Sequence, residues 1–109
     1  MSRRKGSNKL RAQILNALSN PETLKILEVL LGSLREGKTS EIAKKVGMEE
    51  EKAMTHLGLL REGQVVTVRR VGPHNYYRVF DTSCVDKILT SVDEMLQKIE
   101  EMRRKGKLI

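Results

Sequence analysis

Residues 39–61 read TSEIAKKVGMEEEKAMTHLGLLR, and the fold turns on this stretch. Two apolar stripes at helical spacing flank a single glycine. Thr39 stands where it can cap the first helix, with Glu41 in the first turn and Ile42 and Val46 on the inner side. Gly47 falls where that helix must stop and reverse, a position that favours a left-handed backbone. A second helix spans roughly 49–62, and its Ala53, Leu57 and Leu60 recur at i, i+4 and i+7. So narrow a stripe leaves the opposite face to solvent or to a ligand. His56, beside Leu57 and Leu60, reads as a packing or hydrogen-bonding histidine rather than a base.

Upstream, Leu10, Ile14, Leu15 and Leu18 predict a helix over 9–18. Asn20-Pro21-Glu22 is a helix start: a capping side chain, a proline at the first helical position and an acid at the positive end of the dipole. The helix that follows is expected to align Leu24, Leu27, Leu30, Leu31 and Leu34 and to end at or near Gly37. Downstream the period changes. Val65-Val66-Thr67-Val68-Arg69-Arg70-Val71, the turn Gly72-Pro73-His74-Asn75 and Tyr76-Tyr77-Arg78-Val79-Phe80 predict a β-hairpin with a basic tip. Tyr76 and Tyr77 must point to opposite faces of their strand. Asp81-Thr82-Ser83 then opens a last helix, in which Val85, Leu89, Val92, Leu96 and Ile99 alternate steps of four and three, the spacing of a coiled-coil seam. The expected architecture is mostly α with one small hairpin.

A chain of 109 residues is the size of one domain. Its apolar content of 39% supports one compact core, and its formal net charge is +7. That charge is segregated: +5 over residues 1–11, −1 over 12–64, +3 over 65–80, −4 over 81–101 and +4 over 102–109. Cations gathered at both ends and in the hairpin suit a polyanion held at defined places, although basic ends alone also serve solubility. No apolar run approaches the roughly 18–20 residues of a membrane span, and no signal-peptide core follows Met1-Ser2-Arg3-Arg4-Lys5. A cytoplasmic protein is expected. The single cysteine, Cys84, excludes an intrachain disulfide but leaves an intersubunit one open. No phosphate loop, nucleophile elbow or His–carboxylate set points to an enzyme.

Two helices hinged at a tight glycine turn and followed by a basic hairpin have the outline of a winged helix-turn-helix, in which the second helix enters the major groove and the hairpin grips the flanking backbone. The motifs also resemble a known family. Asn20-Pro21-Glu22-Thr23-Leu24-Lys25-Ile26-Leu27 is similar to the Pro-x-x-Leu-x-Ile-Leu opening of the ArsR-type repressors. Glu41-Ile42-Ala43 resembles their Glu-Leu-Ala, and His56-Leu57 with Leu60-Arg61-Glu62 their His-Leu-x-x-Leu-Arg-Glu. Tyr76-Tyr77-Arg78-Val79 resembles their Tyr-Tyr-Arg-Leu. The resemblance covers roughly residues 10–100 and implies a homodimer built on the first and last helices that places two recognition helices on a pseudo-palindromic operator.

Departures qualify it. Lys38 and Ser40 stand where metal-sensing members carry a Cys-x-Cys pair. The last helix has Asp86, Asp93 and Glu94 but no histidine, and Cys84, His56 and His74 form no spaced set. Neither a metal nor any other cofactor is expected, and no small-molecule ligand is identifiable. Glu49-Glu50-Glu51 replaces the family's Ser, Gln and Thr at the start of the recognition helix. Acids there favour the helix dipole by roughly 0.3–1 kcal/mol each but repel phosphates. Gly58 stands where a polar or basic side chain is usual.

Base readout is therefore expected from Lys52 and Thr55, with Met54 beside them, and backbone contacts from Thr39, Ser40, Lys44 and Lys45. The wing would add Arg69, Arg70, His74 and Arg78, and a flexible arm over 1–8 would add Arg3, Arg4 and Lys5. The DNA-binding domain is expected over 9–80, a dimerisation helix over 81–104 and a basic tail over 105–109. Leu10, Ile14, Val85, Leu89, Val92, Leu96 and Ile99 are the candidate dimer interface. The expected partners are double-stranded DNA and a second copy of the chain. The function read from this is a dimeric transcriptional regulator, a repressor that does not respond to metals. A sequence-tolerant architectural DNA-binding protein and a protein-interaction adaptor are the alternatives.

Overall fold

The computed structural model describes residues 7–107. Helix α1 (Asn8–Ala17) is capped by Ser7, whose Oγ accepts from the Lys9 amide at 3.0 Å, so the chain is helical one residue inside the stretch assigned to the arm. Arg3, Arg4 and Lys5 lie outside the described residues. Helix α2 (Pro21–Leu31) starts as its sequence requires: Asn20 Oδ1 accepts from the Glu22 amide at 2.8 Å and from the Thr23 amide at 3.4 Å. It ends earlier than expected, with Gly32 rather than Gly37 as its C-cap, so Leu34 lies beyond the helix. Its buried side is Thr23, Ile26, Leu27 and Leu30. The leucine pattern pointed slightly off this side, since Leu24 and Leu31 lie at its half-buried edges.

Helices α3 (Thr39–Val46) and α4 (Glu50–Glu62) meet at Gly47, which has φ +80° and donates its amide to the Ala43 carbonyl at 2.8 Å. Thr39 is already helical rather than the cap. The cap is Lys38, whose amide donates to Glu41 Oε1 at 2.8 Å. Lysine has no side-chain acceptor, so only the Glu41 half of a capping box can form here.

The expected hairpin is two strands of a three-stranded antiparallel sheet. Strand β1 (Glu36–Lys38), β2 (Val66–Val71) and β3 (His74–Val79) lie in the order β1-β3-β2. Glu36-Gly37-Lys38 has no β-branched or aromatic residue to announce a strand. It is extended because β3 offers it a free edge, with Gly37 opposite Tyr77. Gly37 is buried, and a Cβ there would come within 2.5 Å of Leu34 Cδ2.

Helix α5 (Thr82–Arg104) is capped by Asp81, whose Oδ1 accepts from the Cys84 amide at 2.9 Å. The core gathers Ala17 of α1, Ile26, Leu27 and Leu30 of α2, Ile42 of α3, Leu57 and Leu60 of α4, Val66, Tyr77 and Val79 of the sheet and Val85 of α5. One polar pair crosses it, Thr23 Oγ1 to His56 Nδ1 at 3.0 Å. That contact gives the buried imidazole the hydrogen-bonding role expected of it.

Candidate nucleic-acid interface

On α4 the residues Ala53, His56, Leu57 and Leu60 face inward. A 3.6-residue repeat then sets Glu51, Thr55, Gly58 and Glu62 at the centre of the outer face, and all four are exposed. The Thr55 hydroxyl donates back to the Glu51 carbonyl of its own helix at 3.2 Å. Gly58 lies in open space, with no atom within 4 Å of where a Cβ would sit. Lys52, expected to read bases, is on the flank towards α2, where its Nζ is 3.8 Å from Glu22 Oε2. Met54 is on the other flank. It lines a cleft between α4 and the wing together with Glu50, with Lys38, Thr39 and Ser40 at the start of α3, and with Pro73, His74, Asn75 and Tyr77. Thr39, Ser40 and His74 thus share this cleft with the Met54 flank of α4. Lys44 and Lys45 are exposed in the last turn of α3.

The sheet divides the wing cations. Strand alternation places Tyr77, Val79, Val66 and Val68 on the inner face. Arg69, Tyr76 and Arg78 take the outer face with Glu36 and Lys38 of β1. Of the two tyrosines, Tyr77 is the buried one and Tyr76 the half-exposed one. Arg69 is clasped there: its Nε donates to Glu36 Oε2 at 3.1 Å and its Nη2 to Glu36 Oε1 at 2.9 Å. The guanidinium also lies 5.4 Å from the Tyr76 ring centroid. The Arg69 hydrogen bond is the main cause that holds the Glu36 carboxyl below its ordinary value, with the Arg69 and Arg78 charges adding to it. Arg69 is raised in turn, first by the Glu36 hydrogen bond. The hairpin itself holds three arginines and no acid. The acid comes from β1, a strand that its own residues do not announce.

Arg78 lies at the root of the sheet, in a depression it shares with Arg35, Phe80, Asp81 and Thr82, away from the turn. Arg70 is the arginine at the tip, where its Nε donates to the Gly72 carbonyl at 3.3 Å. Gly72 has φ +61°, which lets the two strands close on a two-residue turn.

A second exposed surface runs along α1 and α5. Leu10, Ile14 and Leu15 of α1 and Val92, Met95, Leu96 and Met102 of α5 are exposed, as is Phe80 at 69%. Ile99 is half-buried. Val85, a candidate for the dimer interface, is 6% exposed and belongs to the chain's own core, and Leu89 packs against that core. Phe80 and Met95, which the seam spacing alone does not single out, are exposed on this surface, and Ile88 is half-buried like Leu89. Ile14, Phe80, Cys84 and Ile88 line an apolar depression at the base of α5, and the Cys84 thiol is free and exposed. Among the described residues no group of three or more His, Cys, Asp or Glu side chains is placed to hold a metal ion. No helix among them is long and apolar enough to cross a membrane.

No protein-family model matches the chain, and no curated protein matches it. Solved structures do. The homodimeric winged helix-turn-helix DNA-binding domain of Mb0332 from Mycobacterium bovis, described as a possible ArsR-family transcriptional regulator, superposes with a TM-score of 0.72 at 29% identity. That match covers 83% of this chain and 84% of that one. NolR from Sinorhizobium fredii is 33% identical with a TM-score of 0.66, covering 80% of this chain and 84% of its own. The antimony-specific transcriptional repressor AntR shares the fold at a TM-score of 0.64 and 23% identity, over 81% of this chain and 78% of that one.

Proposed function

Since this chain belongs to the ArsR-type winged helix-turn-helix regulators, we propose that it binds duplex DNA as a homodimer and represses transcription. One observation carries the proposal. The outer face of α4 is open along its length and runs into a cleft with the wing, unobstructed by α5. The N-terminal half of α4 enters the major groove, and the first turn of α3, with Thr39 and Ser40, meets the backbone strand. His74 and Arg70 at the wing contact the flanking groove, and Lys44 and Lys45 add charge on the same domain. Arg3, Arg4 and Lys5 supply a sequence-blind contribution. Lys38 and Ser40 bring no thiolate to the start of α3, so operator release does not depend on a thiolate-bound metal at that place.

The dimer follows from the apolar surface of α1 and α5, which a lone domain seldom leaves exposed to water. The homodimeric Mb0332 domain supports the same assembly. The site of action is the cytoplasm, where DNA is accessible.

The test is selection of bound duplexes from a random pool, followed by affinity measurements over a salt series. A pseudo-palindromic motif and a log affinity that falls by about 0.9 per phosphate contacted are expected. Enrichment without a motif would favour an architectural DNA-coating role. No retention of any duplex at low salt would overturn DNA binding and leave the adaptor reading.

A further inference from the structure

We propose that Glu36 is a positioning residue of the wing, an internal substitute for phosphate that withholds Arg69 from DNA. The inference rests on the DNA-binding reading above and concerns how that binding is limited. Both oxygens of the carboxylate engage the guanidinium, at 2.9 and 3.1 Å. This is the two-pronged geometry with which arginine grips a phosphate. The guanidinium also lies over the Tyr76 ring, 5.4 Å from its centroid, a second contact that holds it at the sheet. Arg69 lies three residues before Gly72 at the turn, about 10 Å along the strand, so its side chain can reach a backbone strand that the wing tip straddles. Engaging DNA would require a phosphate to replace the carboxylate and to tolerate Glu36 beside it.

The clasp thereby cancels one wing cation per protomer. Phosphate contacts raise affinity for every sequence alike. Withholding one lowers non-specific binding while leaving base contacts untouched. The strand that carries Glu36 is the short edge strand β1, whose pairing with β3 brings the carboxylate opposite Arg78 and within reach of Arg69.

The experiment compares the full-length wild type, Glu36→Gln, Arg69→Gln and the double variant. Affinity for a random-sequence duplex is measured over a salt series, with the thermal midpoint of each variant recorded. Glu36→Gln is expected to tighten non-specific binding several-fold and to steepen the log–log salt slope by about 0.9 per protomer. Arg69→Gln unmasks the Glu36 charge and should bind no more tightly, with a slope no steeper, than the wild type, and the double variant should return to the wild-type slope. If the clasp only staples the sheet, Glu36→Gln lowers the thermal midpoint and leaves the slope as it was, which overturns the inference while DNA binding stands. Retention of DNA by Glu36→Gln but not by the wild type would be the strongest support. If no variant binds DNA, both readings fall together.

Discussion

Helices α4 and α5 carry similar apolar spacing and meet opposite fates. In α4 the stripe Ala53, His56, Leu57 and Leu60 is buried by the chain's own core. In α5 only Val85 is buried, while Val92, Met95 and Leu96 of the same helix remain exposed. The difference is one of reach. Helix α4 is pinned between α2, α3 and the sheet, whereas α5 at 23 residues, about 35 Å of helix, outruns the domain that holds its first two turns. An amphipathic helix thus declares that a face will be covered, and not by what.

The contrast can be broken most severely at Leu57. Leu57→Ala should cost about 2–5 kcal/mol by emptying a fully buried site, as read from chemical denaturation. Leu96→Glu, at a 57% exposed position, should leave the fold of the protomer intact and convert dimer to monomer in a sedimentation run. A dimer that survives this change places its interface elsewhere. Leu89 is a poorer probe, because a charge there would also strike the core it packs against.

Two glycines sharpen the comparison on α4 and its exit. A Cβ at Gly63 would lie 2.7 Å from Ala17 Cβ and 3.0 Å from the Gln13 carbonyl oxygen, because α1 crosses closely there. Gly63→Ala should therefore destabilise by about 1–3 kcal/mol. At Gly58 nothing is within 4 Å, and Gly58→Ala should stabilise by about 0.5–1 kcal/mol through helix propensity. Equal melting shifts for the two variants would contradict the packing of α1 on the end of α4.

Thr23→Val removes the partner of His56 Nδ1 and should cost about 1–3 kcal/mol, the penalty of a buried polar atom left alone. A variant as stable as the wild type would mean that the imidazole finds another partner.

The smallest effect is electrostatic. The folded-state Glu36 carboxyl lies below its ordinary value because Arg69 hydrogen-bonds to it. A depressed acid contributes stability above the ordinary carboxylate range, and that contribution disappears as the pH falls through the lowered value. The thermal midpoint of wild type should exceed that of Glu36→Gln slightly at neutral pH, and the two should converge in strong acid. A constant gap across the titration would show that the charge of Glu36 is not what stabilises the sheet.

Legibility in the sequence followed the range of the interaction. Asn20-Pro21-Glu22, Gly47 and a turn opening at Gly72 were readable because caps and turns are written in adjacent residues, although His74 and Asn75, expected in that turn, already pair in β3. So were the inward set of α4 and the opposed tyrosines, since periodicity carries them. The site was less legible. Lys52 is a candidate for base readout, and the Glu22 carboxylate beside it, thirty positions earlier, was not legible. Arg69 is a candidate wing contact, and the Glu36 beside it was not legible, because an edge strand with no β signal of its own brings it across. Val85 looked like interface because spacing cannot tell a partner's core from the chain's own.

Residue order settled which segments are helix, turn or strand and which way most of them face, since those depend on hydrogen bonds and side-chain periods spanning a few residues. Folding in three dimensions settled which cations stay paired and which apolar stripe stays open, because both depend on side chains that meet across long separations in the chain.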